Sequence, residues 1–256
     1  MFYIVSSEPG NSVDYLTLKG YKILGKADVV FYHSLFDTTA LFEACKPSCE
    51  KISVRVLPVE RRVWYVENNP DKLCVELISG DMAWFSTAQE LMDKLAERGI
   101  PFEVVPGVSS INMAAALLKH ELVLPCISQC CIVTYLENMP MIPKQSIEKL
   151  ASHEATLVVL MVNERRLSEF RRQLLAGGVS KDTPVAVVYK ASYPGQKVFR
   201  MTVDGLEGLK GDLWHAIFVV GWVLADEEKR HGLSGLPFMT NFAKAEAYVY
   251  GLPWIS

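Results

Sequence analysis

The sequence predicts an α/β fold made of two α/β domains, on three observations. Apolar runs of strand length alternate with amphipathic or Ala-rich runs of helix length, which is typical of parallel sheets with crossover helices. The clearest example is a strand at 73–78, a helix at 86–98, a short strand ending at Pro106-Gly107 and a helix at 111–119. Half of the 256 residues are apolar, which provides enough core for one large or two medium domains.

Further elements precede this unit. Their order is a strand at 2–5, a turn-rich loop at 6–12, a helix at 17–24 closed by Gly25, a strand at 27–32 and a segment compatible with a helix at 36–45. Residues 54–69 are polar and aromatic, and their pattern decides neither helix nor strand.

The second half of the chain is richer in strands and in hairpin-like connections. Strands are predicted at 132–135, 156–162, 184–189, 198–203 and 216–222, and helices at 147–151 and 166–175. This pattern favours a mixed sheet. We therefore expect a parallel N-terminal domain at 1–119, a mixed C-terminal domain at 120–225 and an extension at 226–256.

Composition argues against several classes of protein. A net charge of −3 and a pI near 6.0 give no basic surface for nucleic acid, and the pair Arg61-Arg62 is interpreted as part of a solvated helix face. No signal peptide is visible, and no apolar run approaches the roughly 20 residues that span a bilayer. The six cysteines contain no CxxC motif, so we expect reduced structural thiols, no bound metal and a cytoplasmic location.

Two turns carry the residues with the clearest chemical potential. Ser79-Gly80-Asp81 follows one predicted strand, and Ser109-Ser110 follow Pro106-Gly107 at the start of a helix. Ligands of parallel sheets bind where strands end. Gly80 allows close approach to the backbone, and the serine hydroxyls and amides can receive a carboxylate. An ordinary turn and a simple N-cap role for Ser109 remain alternatives.

Several stretches, taken in order, resemble the tetrapyrrole methylase family, and within it the cobalt-precorrin-4 C11-methyltransferases. The resemblance runs over about residues 2–225. The stretches are Pro9-Gly10, 16–20, 27–32, Ser79-Gly80-Asp81, 99–110, 122–125 with Ser128-Gln129, 182–194 and 216–222.

The resemblance implies a methyltransferase of cobalamin biosynthesis with a ligand cleft between two domains. Such enzymes use S-adenosylmethionine, act on a tetrapyrrole and usually form homodimers. The implied donor contacts are Pro9, Gly80, Asp81, Met82, Ser109 and Ser110, with Met161, Ala191, Val220 and Gly221 at the adenosine end. Asp81 and Tyr32 are the candidate catalytic residues, for deprotonation or contact with the acceptor. Met161 would offer a flexible apolar surface to the base.

The chain departs from the family pattern in loops that face the acceptor. The first loop, at 6–12, lacks two glycines and an acidic residue and gains Glu8. Residues 82–86 replace a Pro and a Tyr-Gly pair, and residues 135–140 lack an Arg and gain Glu137. Arginine is the natural partner of carboxylates. Two alternatives therefore stay open: a methyltransferase with a less anionic acceptor, and a non-catalytic relative.

Overall fold

The computed structural model describes residues 1–7, 10, 12–33, 39–136, 142–211, 213–226 and 228–230. It has two five-stranded sheets with helices, which confirms the α/β class. The chain divides into two compact units, one made of residues 1–114 with 190–196, the other of 115–189 with the described part of 197–256. The domain boundary expected after residue 119 stays a prediction. It would place the segment 190–196 in the second domain, whereas the observed division places this segment in the first unit.

The sheet of the first unit is parallel throughout its five strands. Its order is β3-β2-β4-β1-β5. The strands are β1 (Phe2–Ser6), β2 (Val29–Tyr32), β3 (Glu50–Ser53), β4 (Cys74–Ile78) and β5 (Phe102–Val105), and the helices in this part of the chain are α1 (Leu18–Leu24), α2 (Val59–Glu67), α3 (Ala88–Glu97) and α4 (Ser110–Leu118).

Helices cover both faces of this sheet, and for that reason its central strands are mostly apolar. All five residues of β4 are buried. Phe2 and Ile4 pack on one face with Leu91 and Leu95 of α3, whereas Val5 packs on the other face. Burial on both faces fixes the register of the strands, so the turns at their carboxyl ends have defined positions.

The sheet of the second unit is mixed, as the sequence predicts. Its order is β6-β7-β10-β8-β9, with β6 parallel to β7 and every other pair antiparallel. The strands are β6 (Cys131–Tyr135), β7 (Thr156–Leu160), β8 (Pro184–Tyr189), β9 (Lys197–Thr202) and β10 (Ala216–Val220), and the helices are α5 (Ile147–Ala151) and α6 (Leu167–Ala176). The ring of Phe170 on α6 packs edge-on against Phe218, with centroids 5.5 Å apart.

Some segments differ from expectation. Within the predicted 36–45 helix, the described part is a 3-10 helix at Thr39–Ala44. The ambiguous 54–69 segment contains a 3-10 turn, Val54–Val56, and then α2. Strand β3 was not predicted. Of the predicted extension, residues 231–256 lie outside the described residues. Every helix in the described ranges is too short or too polar to cross a lipid bilayer.

The interpretation of Arg61-Arg62 as a solvated pair is wrong for one of the two residues. Arg62 is 7% exposed and forms an ion pair with Glu76, a carboxylate on the central strand β4 that is 1% exposed. The side chain of His33 lies 3.4 Å from the same carboxylate oxygen. A buried charge is tolerated only with such partners, so this helix position is an internal one.

Candidate functional site

The turn after β4 leaves open space above its backbone. Gly80 has a φ of +78°, a conformation that favours glycine, and a Cβ added there would have no described atom within 4 Å. The turn lies at the carboxyl edge of a parallel sheet, where ligands of such sheets bind. A ligand can therefore approach the Gly80 backbone directly.

The carboxylate of Asp81 joins this turn to the one that precedes α4. Its Oδ1 accepts a hydrogen bond from the Ala83 amide at 2.9 Å, and its Oδ2 accepts one from the Gly107 amide at 2.9 Å. Each carboxylate oxygen has two acceptor positions, so one on each remains for a ligand. Asp81 thus fixes the backbone of two turns, and its carboxylate can still accept hydrogen bonds from N–H or O–H groups of a ligand.

The end of β1 holds the same two turns through two fully buried serines. Ser7 donates from its amide and from its hydroxyl to the Ile78 carbonyl, at 2.8 and 2.9 Å, and its own carbonyl accepts from Val108 at 2.9 Å. The Ser6 hydroxyl accepts from the Met82 amide at 3.0 Å. Sequence reasoning missed both residues. The available signal was a pair of hydroxyls at the end of an apolar strand.

Gly107 is required by the close approach of these segments. A Cβ added to it would lie 2.6 Å from the carbonyl carbon of Ser6, which is backbone and cannot move aside. Helix α4 begins at Ser110, directly after the buried Ser109. The Ser109 hydroxyl accepts from the Ile111 amide at 3.2 Å, in keeping with the alternative N-cap role. Ser110 is half-buried at the first turn of the helix.

Tyr32 ends β2, the strand next to β4, and pairs in register with Leu77. Its ring packs edge-on against Phe42 with centroids 4.9 Å apart, on the face of the sheet that holds Val5. Tyr32 and Asp81 therefore share one edge of the sheet. The packing gives Tyr32 a structural role, and its proposed catalytic role stays a prediction.

The segment 190–196 belongs to the first unit, where Ala191 is buried and residues 194–196 are exposed. Ala191 is 4% exposed, and both its neighbours, Lys190 and Ser192, have left-handed φ values, +51° and +65°. A Cβ added to Gly10 would lie 2.8 Å from the Ser192 carbonyl carbon. Left-handed φ values like those of Lys190 and Ser192 are costly in residues other than glycine, and they cluster at functional sites. Pro9, a predicted donor contact, lies outside the described residues.

In the second unit, the register of the sheet separates residues that the sequence analysis grouped. Met161 directly follows β7 and has a left-handed φ of +58°. Val220 ends β10 and Gly221 follows it. This strand runs antiparallel to β7, and Val220 pairs with Leu157 near the start of β7. A Cβ on Gly221 would lie 3.4 Å from Thr156, the first residue of β7.

Val220 and Gly221 therefore do not share a sheet edge with Met161. The edges are separated by the length of β7, about 13 Å at roughly 3.3 Å per residue. Val220 is 2% exposed and belongs to the core of this unit. The expectation that these three residues line the adenosine end of the donor site stays a prediction, and the register places Val220 and Gly221 at the opposite end of β7 from Met161.

The described residues contain no group of three or more His, Cys, Asp or Glu side chains placed to hold a metal ion. All six cysteines are free thiols. Burial raises the pKa of Cys45 to about 12 and that of Cys74 to about 11, which keeps both protonated at neutral pH. The thiols of Cys45 and Cys74 are therefore poor nucleophiles, and the turns that contain Gly80, Asp81 and Ser109 remain the candidate functional site.

Comparisons with known proteins identify relatives of this chain. The family model described as Tetrapyrrole (Corrin/Porphyrin) Methylases matches residues 1–207. A cobalt-precorrin-4 C(11)-methyltransferase of Priestia megaterium is 32% identical over 252 residues, covering 94% of this chain and 97% of that protein. The solved structure of a cobalamin biosynthetic enzyme, cobalt precorrin-4 methyltransferase, is 31% identical with a TM-score of 0.81, covering 88% of this chain and 96% of that one.

A second solved structure carries a ligand. It is the uroporphyrin-III C-methyl transferase of Thermus thermophilus, complexed with S-adenyl homocysteine. It is 26% identical to this chain with a TM-score of 0.73, covering 92% of this chain and 99% of that one.

Proposed function

Because the chain belongs to the tetrapyrrole methylase family, we propose that it transfers a methyl group from S-adenosylmethionine to C11 of cobalt-precorrin-4 or precorrin-4. It is a methyltransferase of cobalamin biosynthesis on this account. The share of the chain that resembles the cobalt-precorrin-4 enzymes, 94% of its length in one case, supports the choice of acceptor within the family.

The observation that carries the proposal is the junction of turns around Asp81. Its carboxylate holds the amides of Ala83 and Gly107 at 2.9 Å each, beneath the open backbone of Gly80. This arrangement fits the methionine part of the donor, because a ligand can reach backbone at Gly80 and the first turn of α4 at Ser110. Met82, anchored through its amide to Ser6, borders the same turn.

When bound, S-adenosylmethionine supplies an electrophilic methyl group on a sulfonium. The residues of the chain need to hold that carbon and the acceptor carbon in line, at about 3–3.5 Å, and to keep water away. The turns held by the Asp81 carboxylate suit this task, because a rigid backbone can position a ligand without a catalytic triad. Asp81 supplies two free acceptor positions for donor N–H or O–H groups, while Met161 and Ala191 stay proposed contacts of the adenosine.

The experiment that tests the donor half is isothermal titration with S-adenosylhomocysteine. We expect micromolar binding by the wild-type protein, weaker binding by Asp81→Ala, and wild-type binding by Asp93→Ala. Asp93 is a suitable control because it lies exposed on α3 and bonds only Gln89 among the described residues. Failure of the wild-type protein to bind either S-adenosylmethionine or S-adenosylhomocysteine would leave a non-catalytic relative as the remaining account.

The acceptor half is tested by methyl transfer to cobalt-precorrin-4 under anaerobic conditions, with the product located by mass and NMR. A second candidate is a methyltransferase of the same fold with a less anionic acceptor. The neutral residues at 82–86 and the absence of Arg in 135–140 favour it. Donor binding without transfer to cobalt-precorrin-4 would support this second candidate.

We also propose a homodimer in the cytoplasm. Six free thiols fit a reducing compartment, which supports the location. The homodimer rests on the resemblance to the family. Light scattering after size exclusion tests the assembly, since a monomer mass at micromolar concentration would contradict it. Cell fractionation tests the location.

A further inference from the structure

The loop at 82–87, which we call the aromatic loop, exposes two large rings beside the Asp81 junction. Trp84 is 43% exposed and Phe85 is 41% exposed. The loop reads Met-Ala-Trp-Phe-Ser-Thr and contains no ionisable side chain. Exposed rings of this size carry a hydration cost, and grouped apolar exposure commonly marks a binding surface.

The aromatic loop is held in place by its own hydrogen bonds. The Trp84 amide donates to the Asp81 carbonyl at 3.2 Å, which closes a turn that begins on Asp81. The Ser86 hydroxyl donates to the Met82 carbonyl at 2.6 Å and accepts from the Ala88 amide at 3.2 Å. The rings therefore stand on a fixed backbone within one turn of Asp81.

The same loop contains two residues in costly backbone conformations. Phe85 and Thr87 have φ values of +53° and +59°, in the left-handed region that glycine prefers. A bulky and a β-branched residue are both poorly suited to it, and such strain persists where the surrounding structure imposes it, often at ligand sites. A glycine at position 85 would relieve the strain but would lack the ring.

We propose that Trp84 and Phe85 bind one apolar face of the acceptor ring and so determine acceptor specificity; this rests on the proposed function. The loop follows Asp81 directly, which makes it continuous with the proposed donor site. A neutral aromatic surface makes favourable contact with an apolar face of the macrocycle and offers nothing to peripheral carboxylates. The aromatic loop would thus favour acceptors that present an apolar macrocycle face to Trp84 and Phe85.

The test compares four variants in cobalt-precorrin-4 methylation. Trp84→Ala and Phe85→Gly should each raise the KM for cobalt-precorrin-4 about three- to tenfold, the range expected for loss of one aromatic contact. Trp84→Phe should stay within about twofold of wild type, because it keeps a ring. Trp64→Ala is the matched control, since Trp64 is 54% exposed on α2 and outside the loop.

Two further readings separate this role from a merely structural one. The affinity for S-adenosylhomocysteine should be unchanged in all four variants. The melting temperature of Phe85→Gly should stay close to that of wild type, since relief of the left-handed strain offsets the lost burial of the ring. A lower melting temperature with a parallel loss of S-adenosylhomocysteine affinity would overturn the inference, and so would a KM of Trp84→Ala equal to that of Trp64→Ala.

The inference and the proposed function fail in distinguishable ways. Wild-type protein that binds S-adenosylhomocysteine but does not methylate cobalt-precorrin-4 overturns the proposed function. Equilibrium titration with cobalt-precorrin-4 then decides the inference: tighter binding by wild type than by Trp84→Ala supports it, whereas equal binding or none overturns it.

Discussion

Replacement of Gly107 by alanine tests the packing that joins the two turns of the candidate site. The added Cβ would lie 2.6 Å from the Ser6 carbonyl carbon, well inside van der Waals contact. The obstacle is backbone at the end of β1, so neither side can relieve it by changing a rotamer. The Val108 amide, bonded to the Ser7 carbonyl at 2.9 Å, would have to move with the chain.

The expected cost follows from these two terms. Overpacking against a rigid neighbour costs typically about 1–3 kcal/mol. Loss of one backbone hydrogen bond adds about 1 kcal/mol. We therefore expect Gly107→Ala to lower the free energy of unfolding by about 2–4 kcal/mol, a large share of the roughly 5–15 kcal/mol typical of a folded domain.

Urea denaturation followed by circular dichroism measures this change. Gly208→Ala is the matched control, because a Cβ there meets no described atom within 4 Å and its φ is not left-handed. We expect that variant to stay within about 0.5 kcal/mol of wild type. Gly80→Ala should cost about 1–2 kcal/mol from its positive φ alone. If Gly107→Ala were as stable as Gly208→Ala, the proposed close approach at Ser6 would be wrong.

Three further predictions concern charged groups. Asp81→Asn should lower the free energy of unfolding in urea by about 1.5–3 kcal/mol, since the side-chain amide presents only one oxygen to the Ala83 and Gly107 N–H groups. A variant as stable as wild type would show that these two hydrogen bonds do not stabilise the turns. Glu76→Gln should lower the free energy of unfolding in urea by about 3 kcal/mol, because Arg62 stays buried without its counter-charge. The double variant Arg62→Met/Glu76→Leu should lower it by less than Glu76→Gln does, because no unpaired charge is left. The Lys46 ammonium and the Leu73 amide lower the pKa of Asp28, so its stabilisation is present above pH 3.8 and lost as the pH falls further; Asp28→Asn should flatten the acid limb of a stability–pH profile.

The sequence predicted most of the strands, because most of them consist largely of buried apolar residues. Strand β4 and its turn at Gly80-Asp81 are examples. Strand β3 was missed because it lies at the edge of its sheet, and its residues Glu50–Ser53 include two charged side chains and none that is fully buried. Helix α2 was ambiguous because Arg62 occupies an inward-facing position, so the apolar period is broken by an internal charge.

The candidate site was predictable at its turns but not across the second sheet. Gly80 and Asp81 follow an apolar strand, so their place at a strand end could be inferred. The direction of β10 could not, because apolar runs look alike in parallel and antiparallel strands. Its antiparallel pairing moved Val220 and Gly221 away from the sheet edge of Met161. The role of the Ser6 and Ser7 hydroxyls likewise depends on contacts between distant segments.

The discontinuity of the first unit bears on how the chain folds while it is being synthesised. Residues 1–114 leave the ribosome well before the segment 190–196 that completes their unit. At about 5–20 residues per second, the intervening stretch of roughly 75 residues takes about 4–15 s to synthesise. Until then Ser192 cannot cover Gly10. A translation pause in this interval would lengthen the exposure of Gly10, whereas a pause after the segment 190–196 has left the ribosome would not.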